Sequence, residues 1–285
     1  MSAAAERFTA PCAEHGEGPF WDADAGRLLI VDMIAGAVLS VAPDATVERH
    51  HLASVAAVLR ARRDGGYVLA TEDRFLLLGP DLVAQAELPA VFDDPSMRMN
   101  DGGCDPQGRF YVGTMAYDES PGRGALYRLD PDRSVTTVLS GVTISNGLQW
   151  TRDGRTAYYV DTPTGRIDRF DVDPATGDLS GRRPFVEVAG PGQPDGLAID
   201  EEDAVWVALW GGSAVRRYTP DGRLDLVVDL PVSQVTACTF GGPDLRTLFV
   251  TTSQQGIEPG SQPDAGAVFR YEAGVRGAVP HAFAG

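Results

Sequence analysis

Asn100, Asn146 and Asp195 each stand eight residues ahead of a tight turn, at Gly108, Gly154 and Asp203 respectively. Each opens a matching run: NDGGCDPQGRFYVGTM, SNGLQWTRDGRTAYYVDT and PDGLAIDEEDAVWVALW. Three fainter copies put Glu17 ahead of Gly26, Ala57 ahead of Gly65 and Thr236 ahead of Asp244. If brought together, Glu17, Asn146 and Asp195 offer two carboxylates and an amide oxygen. That is a hard, all-oxygen donor set for one divalent cation, suited to Ca²⁺, Mg²⁺ or Mn²⁺ and workable for Zn²⁺ or Fe²⁺ with added waters. Arg98, two residues before Asn100, shares its face of an extended chain. A plainer explanation competes, because NDG, SNG and PDG are also turn sequences in which Asn or Asp tolerates positive φ. Three of them in register, with a Glu in a fourth copy, favour the metal site over coincidence.

The elements that must position these residues recur six times, about every 40 to 49 residues, which is the period of a four-stranded propeller blade. Runs such as RLLIVDM, RFYVGTM, TAYYVDT, AVWVALW and TLFVTTS are rich in β-branched and aromatic residues. Partner strands follow at AVLSVA, ALYRLD, RIDRFDV, AVRRYTP and AVFRYE, and more polar outer strands at TVERHHLA, SVTTVLSG, RRPFVEVAG and RLDLVVDL. No window sustains a helical period. The expected fold is all-β: a six-bladed β-propeller of four-stranded antiparallel blades around a central channel, forming one domain over residues 1–285. In such a ring equivalent positions at the start of the innermost strands point into the channel, so Glu17, Asn146 and Asp195 converge. The loop Asp118–Ala125 reads as a long connection over a pocket. The outermost strand that seals the last blade is expected from either the RFTAP segment or the VPHAFAG tail.

Several classes are excluded. A net charge of −16 argues against a nucleic-acid partner, which calls for clustered Lys and Arg. The start MSAAAERFTAPCAEHGEG lacks the basic and apolar regions of a leader, and no apolar run is long enough to span a bilayer. A cytoplasmic protein without a membrane partner is therefore expected. Three cysteines, Cys12, Cys104 and Cys238, fall at unrelated spacings, so reduced and mostly buried thiols are expected. GxSxG, HExxH, P-loop and GxGxxG patterns are absent. Of the four histidines, His15, His50, His51 and His281, only His15 lies near a candidate ligand, Glu17. The acidic stretches WDADAG and DVDPATGD lack EF-hand spacing and read as hairpin turns.

GEGPFWD, RMNDGGCDPQGRFYVGTMA, SNGLQW, PDGLAID with ALWGG, and FGGPD, in this order over nearly the whole chain, resemble the senescence marker protein (regucalcin) and gluconolactonase family. The resemblance implies a six-bladed propeller holding one divalent cation, Ca²⁺ first among those named above, through Glu17, Asn146 and Asp195. It implies that Arg98 and Asn100, from the RxND motif, recognise a sugar lactone. A further acidic contact follows the GTMA motif as Glu in some members, and this chain has Asp118 there, after Tyr117.

The implied reaction is hydrolysis of an aldonolactone to its aldonic acid. A cation on the lactone carbonyl would stabilise the developing oxyanion, and Asp195, at the metal, would act as general base toward water. An Asp at its ordinary pKa of about 3.9 is a weak base, so positioning would supply its advantage. Two alternatives stay open: a non-catalytic divalent-cation-binding regulatory protein, and a lactonase or esterase acting on non-sugar substrates. A protein-interaction scaffold is disfavoured by the missing GH and WD repeat signatures.

Overall fold

A computed structural model describes residues 2–285. Among them are strands and one short 3₁₀ turn, Thr162–Thr164, with no α-helix and so no helix long and apolar enough to cross a membrane. The strands form six sheets arranged as blades, each antiparallel in its four-stranded core. Innermost strands are Gly16–Asp22 in blade I, Val58–Ala61 in II, Met97–Cys104 in III, Ser145–Trp150 in IV, Gln193–Ile199 in V and Val235–Gly241 in VI. The fourth strands include Val47–His51, Val135–Val142, Leu179–Glu187 and Leu224–Asp229, the polar runs expected at the outside of the blades.

Alternation explains the layering. Second strands such as Arg27–Asp32 and Val205–Trp210 are apolar on both faces because each lies between two neighbouring blades. Leu29, Val31, Val58, Leu69, Phe75 and Val112 pack together across blades I to III, and Tyr158, Val160, Val205 and Val207 across IV and V. Each such side chain contributes about 1.5–3 kcal/mol on burial.

The ring closes with the start of the chain. Glu6–Arg7 pairs antiparallel with Phe269–Glu272 as the outermost strand of blade VI. Ser2–Ala4 then adds a fifth, parallel strand to Leu224–Asp229 of blade V. The C-terminal tail does something else: it crosses the lower end of the channel. The Ala278 N–H bonds Ile199 O, the Phe283 N–H bonds Ala61 O and the Ala284 N–H bonds Gly108 O, at 3.0, 2.8 and 2.9 Å. Phe283, fully buried, packs on Phe110.

The hairpins between first and second strands lie at this lower end, with Gly26, Gly65, Gly108, Gly154 and Asp203 all at positive φ. In blade VI that conformation falls on Leu245, one residue beyond the expected Asp244.

Candidate functional site

NDG, SNG and PDG lie inside strands; the glycine of NDG packs against Tyr111 of its own blade, and those of SNG and PDG serve interblade contact. A Cβ on Gly196 would sit 2.4 Å from the Ala237 Cβ, and one on Gly147 would sit 2.4 Å from Leu197 Cγ. Only a residue without a side chain lets adjacent innermost strands approach this closely.

Five of the six innermost strands carry a register shift at the level of the polar residues: between Glu17 and Phe20, Met99 and Gly102, Asn146 and Leu148, Pro194 and Leu197, and Val235 and Ala237. Each inserts one extra residue against its partner strand, a β-bulge that re-aims side chains. The regular pairing of Val58–Ala61 with Tyr67–Ala70 in blade II is the exception.

Glu17, Arg98, Asn100, Asn146 and Asp195 are all buried, at 4–7% exposure. Arg98 Nη1 donates to Asn100 Oδ1 at 2.6 Å, and Asn100 Nδ2 donates to Asn146 Oδ1 and to the Ser145 carbonyl, both at 2.8 Å. Asn146 Nδ2 donates to Thr162 Oγ1 at 2.7 Å, and that hydroxyl donates to the Pro194 carbonyl at 2.9 Å. The amide orientations follow from this chain of bonds, which leaves Asn146 Oδ1 a spare lone pair.

Glu17 Oε2 accepts the Gly18 N–H at 3.0 Å. Burial, then the Asp101 carboxylate, push its pKa up to about 8. Asp195 is raised well above the ordinary carboxylate value by burial, then by Glu17 and Asp101, so it does not keep the acidity expected from its residue type. Its Oδ1 is buried and finds no hydrogen-bond partner among the described residues.

Two mutually repelling buried carboxylates, one with an orphaned oxygen, beside an amide oxygen with a free lone pair, fit a hard divalent cation. Among the described residues no three His, Cys, Asp or Glu side chains gather into a metal cluster.

Asp118 stands apart on the exposed loop, where its Oδ1 accepts the Ser120 N–H at 3.1 Å. Two residues of the loop reach toward the site: Tyr117, whose ring lies 6.0 Å from the Arg98 guanidinium and whose hydroxyl donates to Glu72, and Glu119, whose carboxylate interacts electrostatically with Arg98. His15 is buried with Nδ1 2.8 Å from Ser253 Oγ, and burial, then Arg98, lower its pKa to about 3, so it is neutral. His50, His51 and His281 lie in an outer strand and the tail. All three cysteines are free, with Cys104 and Cys238 buried. WDADAG and DVDPATGD are turns, Asp22 and Asp173 accepting the N–H groups of Ala25 and Ala175.

Two channel residues escaped the sequence reading. Asp101 follows Asn100, and strict alternation would turn it away from the channel. The bulge lets both side chains enter. Arg60, in VLRARRDGG, looks like part of a solvated basic turn, yet it is 8% exposed.

The SMP-30/Gluconolactonase/LRE-like region model matches residues 15–254. Regucalcin of Oryctolagus cuniculus is 36% identical over 283 residues, covering 95% of each chain. A Bacillus subtilis protein named as a putative sugar lactone lactonase, YvrE, is 36% identical over 279 residues, again covering 95% of each. Among solved structures, a calcium-binding protein, regucalcin, from Agrobacterium tumefaciens superposes with a TM-score of 0.92 at 28% identity, covering 99% of this chain and 98% of its own. The chain belongs to the SMP-30/gluconolactonase/LRE-like family.

Proposed function

We propose that the protein is a divalent-metal-dependent lactonase that opens sugar lactones to their aldonic acids. The observation that carries this reading is the orphaned Oδ1 of Asp195, a buried carboxylate oxygen that feels both the Glu17 carboxylate and the Arg98 guanidinium. The names of the lactonase and gluconolactonase relatives support the reaction class.

Glu17, Asn146 and Asp195 would hold the cation. When bound, a divalent cation stabilises negative charge on a carbonyl oxygen and makes nearby water more acidic. Arg98 and Asn100 bind ring hydroxyls or the ring oxygen and orient the lactone carbonyl. Asp118, outermost on the rim, is left for the far end of the sugar. Asp195 takes the proton from the attacking water at its free carboxylate oxygen. The water oxygen bonds to the carbonyl carbon, the ring C–O bond breaks, and the proton passes to the departing ring oxygen. Burial keeps bulk water from screening these charges.

The regucalcin relatives, among them the calcium-binding Agrobacterium protein, favour cation binding as such, so a cation-binding protein without turnover is the competing reading. A pH-indicator assay separates the two. Metal-stripped protein is mixed with aldono-1,4- and 1,5-lactones, and Ca²⁺, Mg²⁺, Mn²⁺, Zn²⁺ and Fe²⁺ are restored singly. Metal-dependent proton release supports the lactonase. Release no faster than buffer, with a cation still raising thermal stability, supports the competitor.

A further inference from the structure

Blade II departs from the rest of the ring. At its channel position stands Ala57, whose N–H is committed to Ala70 O at 2.8 Å. What this blade sends into the channel is Arg60, three residues further down. Among the described residues no carboxylate lies within ion-pair distance of its guanidinium, which is held by main-chain carbonyls instead. Nη1 donates to Leu59 O at 2.7 Å and, weakly, to Gly18 O at 3.5 Å, while Nη2 donates to Gly102 O at 2.6 Å. These oxygens come from blades II, I and III. Asp101, the residue before Gly102, interacts with Arg60 electrostatically, each favouring the charged form of the other. Both side chains line a cavity of about 50 Å³ between the site and the tail, which also touches Gly18, Cys238 and His281. It is large enough for a few waters.

Carbonyl oxygens converging beside a carboxylate form the donor set that hard cations take. Here the donors meet a cation that belongs to the chain. We propose that Arg60 is the resident cation of the lower channel: its guanidinium fills an oxygen-lined site shared by blades I, II and III beside Asp101, and so keeps a second metal ion out. The site is distinct from the Glu17–Asn146–Asp195 set above it, and the inference does not depend on the lactone reading.

The test uses the full chain with Arg60→Met, which keeps length and removes charge. Protein is stripped with chelator, loaded with Ca²⁺, freed of unbound ion, and its calcium per chain is measured by atomic emission beside the parent. One additional Ca²⁺ per chain is expected. In chelator the variant should melt about 10 °C below the parent, and Ca²⁺ should recover most of that loss. Arg60→Lys, which retains a cation, should match the parent's calcium content. An unchanged calcium content in Arg60→Met overturns the proposal. So does a variant that fails to fold in millimolar Ca²⁺, or an extra ion that persists when Asp101→Asn is added.

Discussion

Asp195 and Asp200 sit five residues apart at opposite ends of one strand region, and both are buried, yet they are used in opposite ways. Asp200, at the lower end, is saturated. Oδ1 accepts the N–H groups of Glu202 and Ala204 at 2.9 and 3.0 Å, and Oδ2 accepts Trp206 Nε1 and Arg217 Nε at 2.9 and 2.8 Å. Asp105 plays the same part in blade III, accepting the Gln107 and Arg109 N–H groups and Arg109 Nε. Asp195, at the upper end, keeps an oxygen with no donor. The lower carboxylates spend their hydrogen-bonding capacity on holding hairpins; the upper one reserves it. Burial alone therefore does not identify a functional acid in this ring, and unmet hydrogen-bonding capacity does.

The contrast breaks most sharply under amide substitution. Asp195→Asn is expected to lower lactone turnover by about 10³-fold or more while leaving metal-free stability unchanged or raised, since it removes a buried repulsion. Asp200→Asn is expected to cost about 1–3 kcal/mol of stability, because four donors lose a buried charged acceptor while Arg217 keeps Glu202 and Asp225. Initial rates and thermal unfolding on both variants check this, and equal behaviour of the two would erase the distinction.

A pH series sharpens it. The folded-state pKa of Glu17, about 8, lies above the ordinary 4.5, so the folded chain retains a proton that the unfolded chain releases. Its contribution is fully present below about 4.5 and is lost as pH rises through about 8. Metal-free protein should thus weaken over that window. A divalent cation, which binds the ionised form, should raise the melting temperature more at pH 8 than at pH 5.5. Equal rises at the two values would show that the carboxylates are already ionised without metal.

The smaller effects concern spacing and the rim. Gly196→Ala puts a methyl against Ala237 and should cost about 1–3 kcal/mol, read as a lower melting temperature. Asp118→Ala, exposed and engaged with Ser120, should change KM by only about two-fold. A larger rise in KM would mean that the loop folds inward over the substrate.

The repeat was legible in the chain because each blade must bury its second strand on both faces, which forces the same apolar run six times. Glu17, Asn146 and Asp195 were legible as residues in register with those runs. Asp101 was not, because the bulge between Met99 and Gly102 breaks the alternation from which inward-facing positions are read. Arg60 was hidden for a different reason: its partners are carbonyl oxygens, and these leave no mark in a sequence. The closing strand Glu6–Arg7 is two residues long, too short for any periodic pattern to announce it. The glycines of NDG, SNG and PDG carried two meanings, turn or close approach, and only the strand each packs against decides between them.

The tail bonds across the lower end of the channel, so the end that carries Arg98 and Tyr117 is the one the proposed function leaves for substrate. On the proposed function, a lactone bound for Asp195 passes Tyr117 and Arg98, and the product leaves by the same route before another molecule follows. For a lactonase this means that the ring-opened acid, carrying a new carboxylate, meets the Arg98 guanidinium on its way out and contends with incoming substrate for the same opening. Inhibition by product should accordingly be competitive, its strength set by how firmly that one guanidinium holds a departing anion.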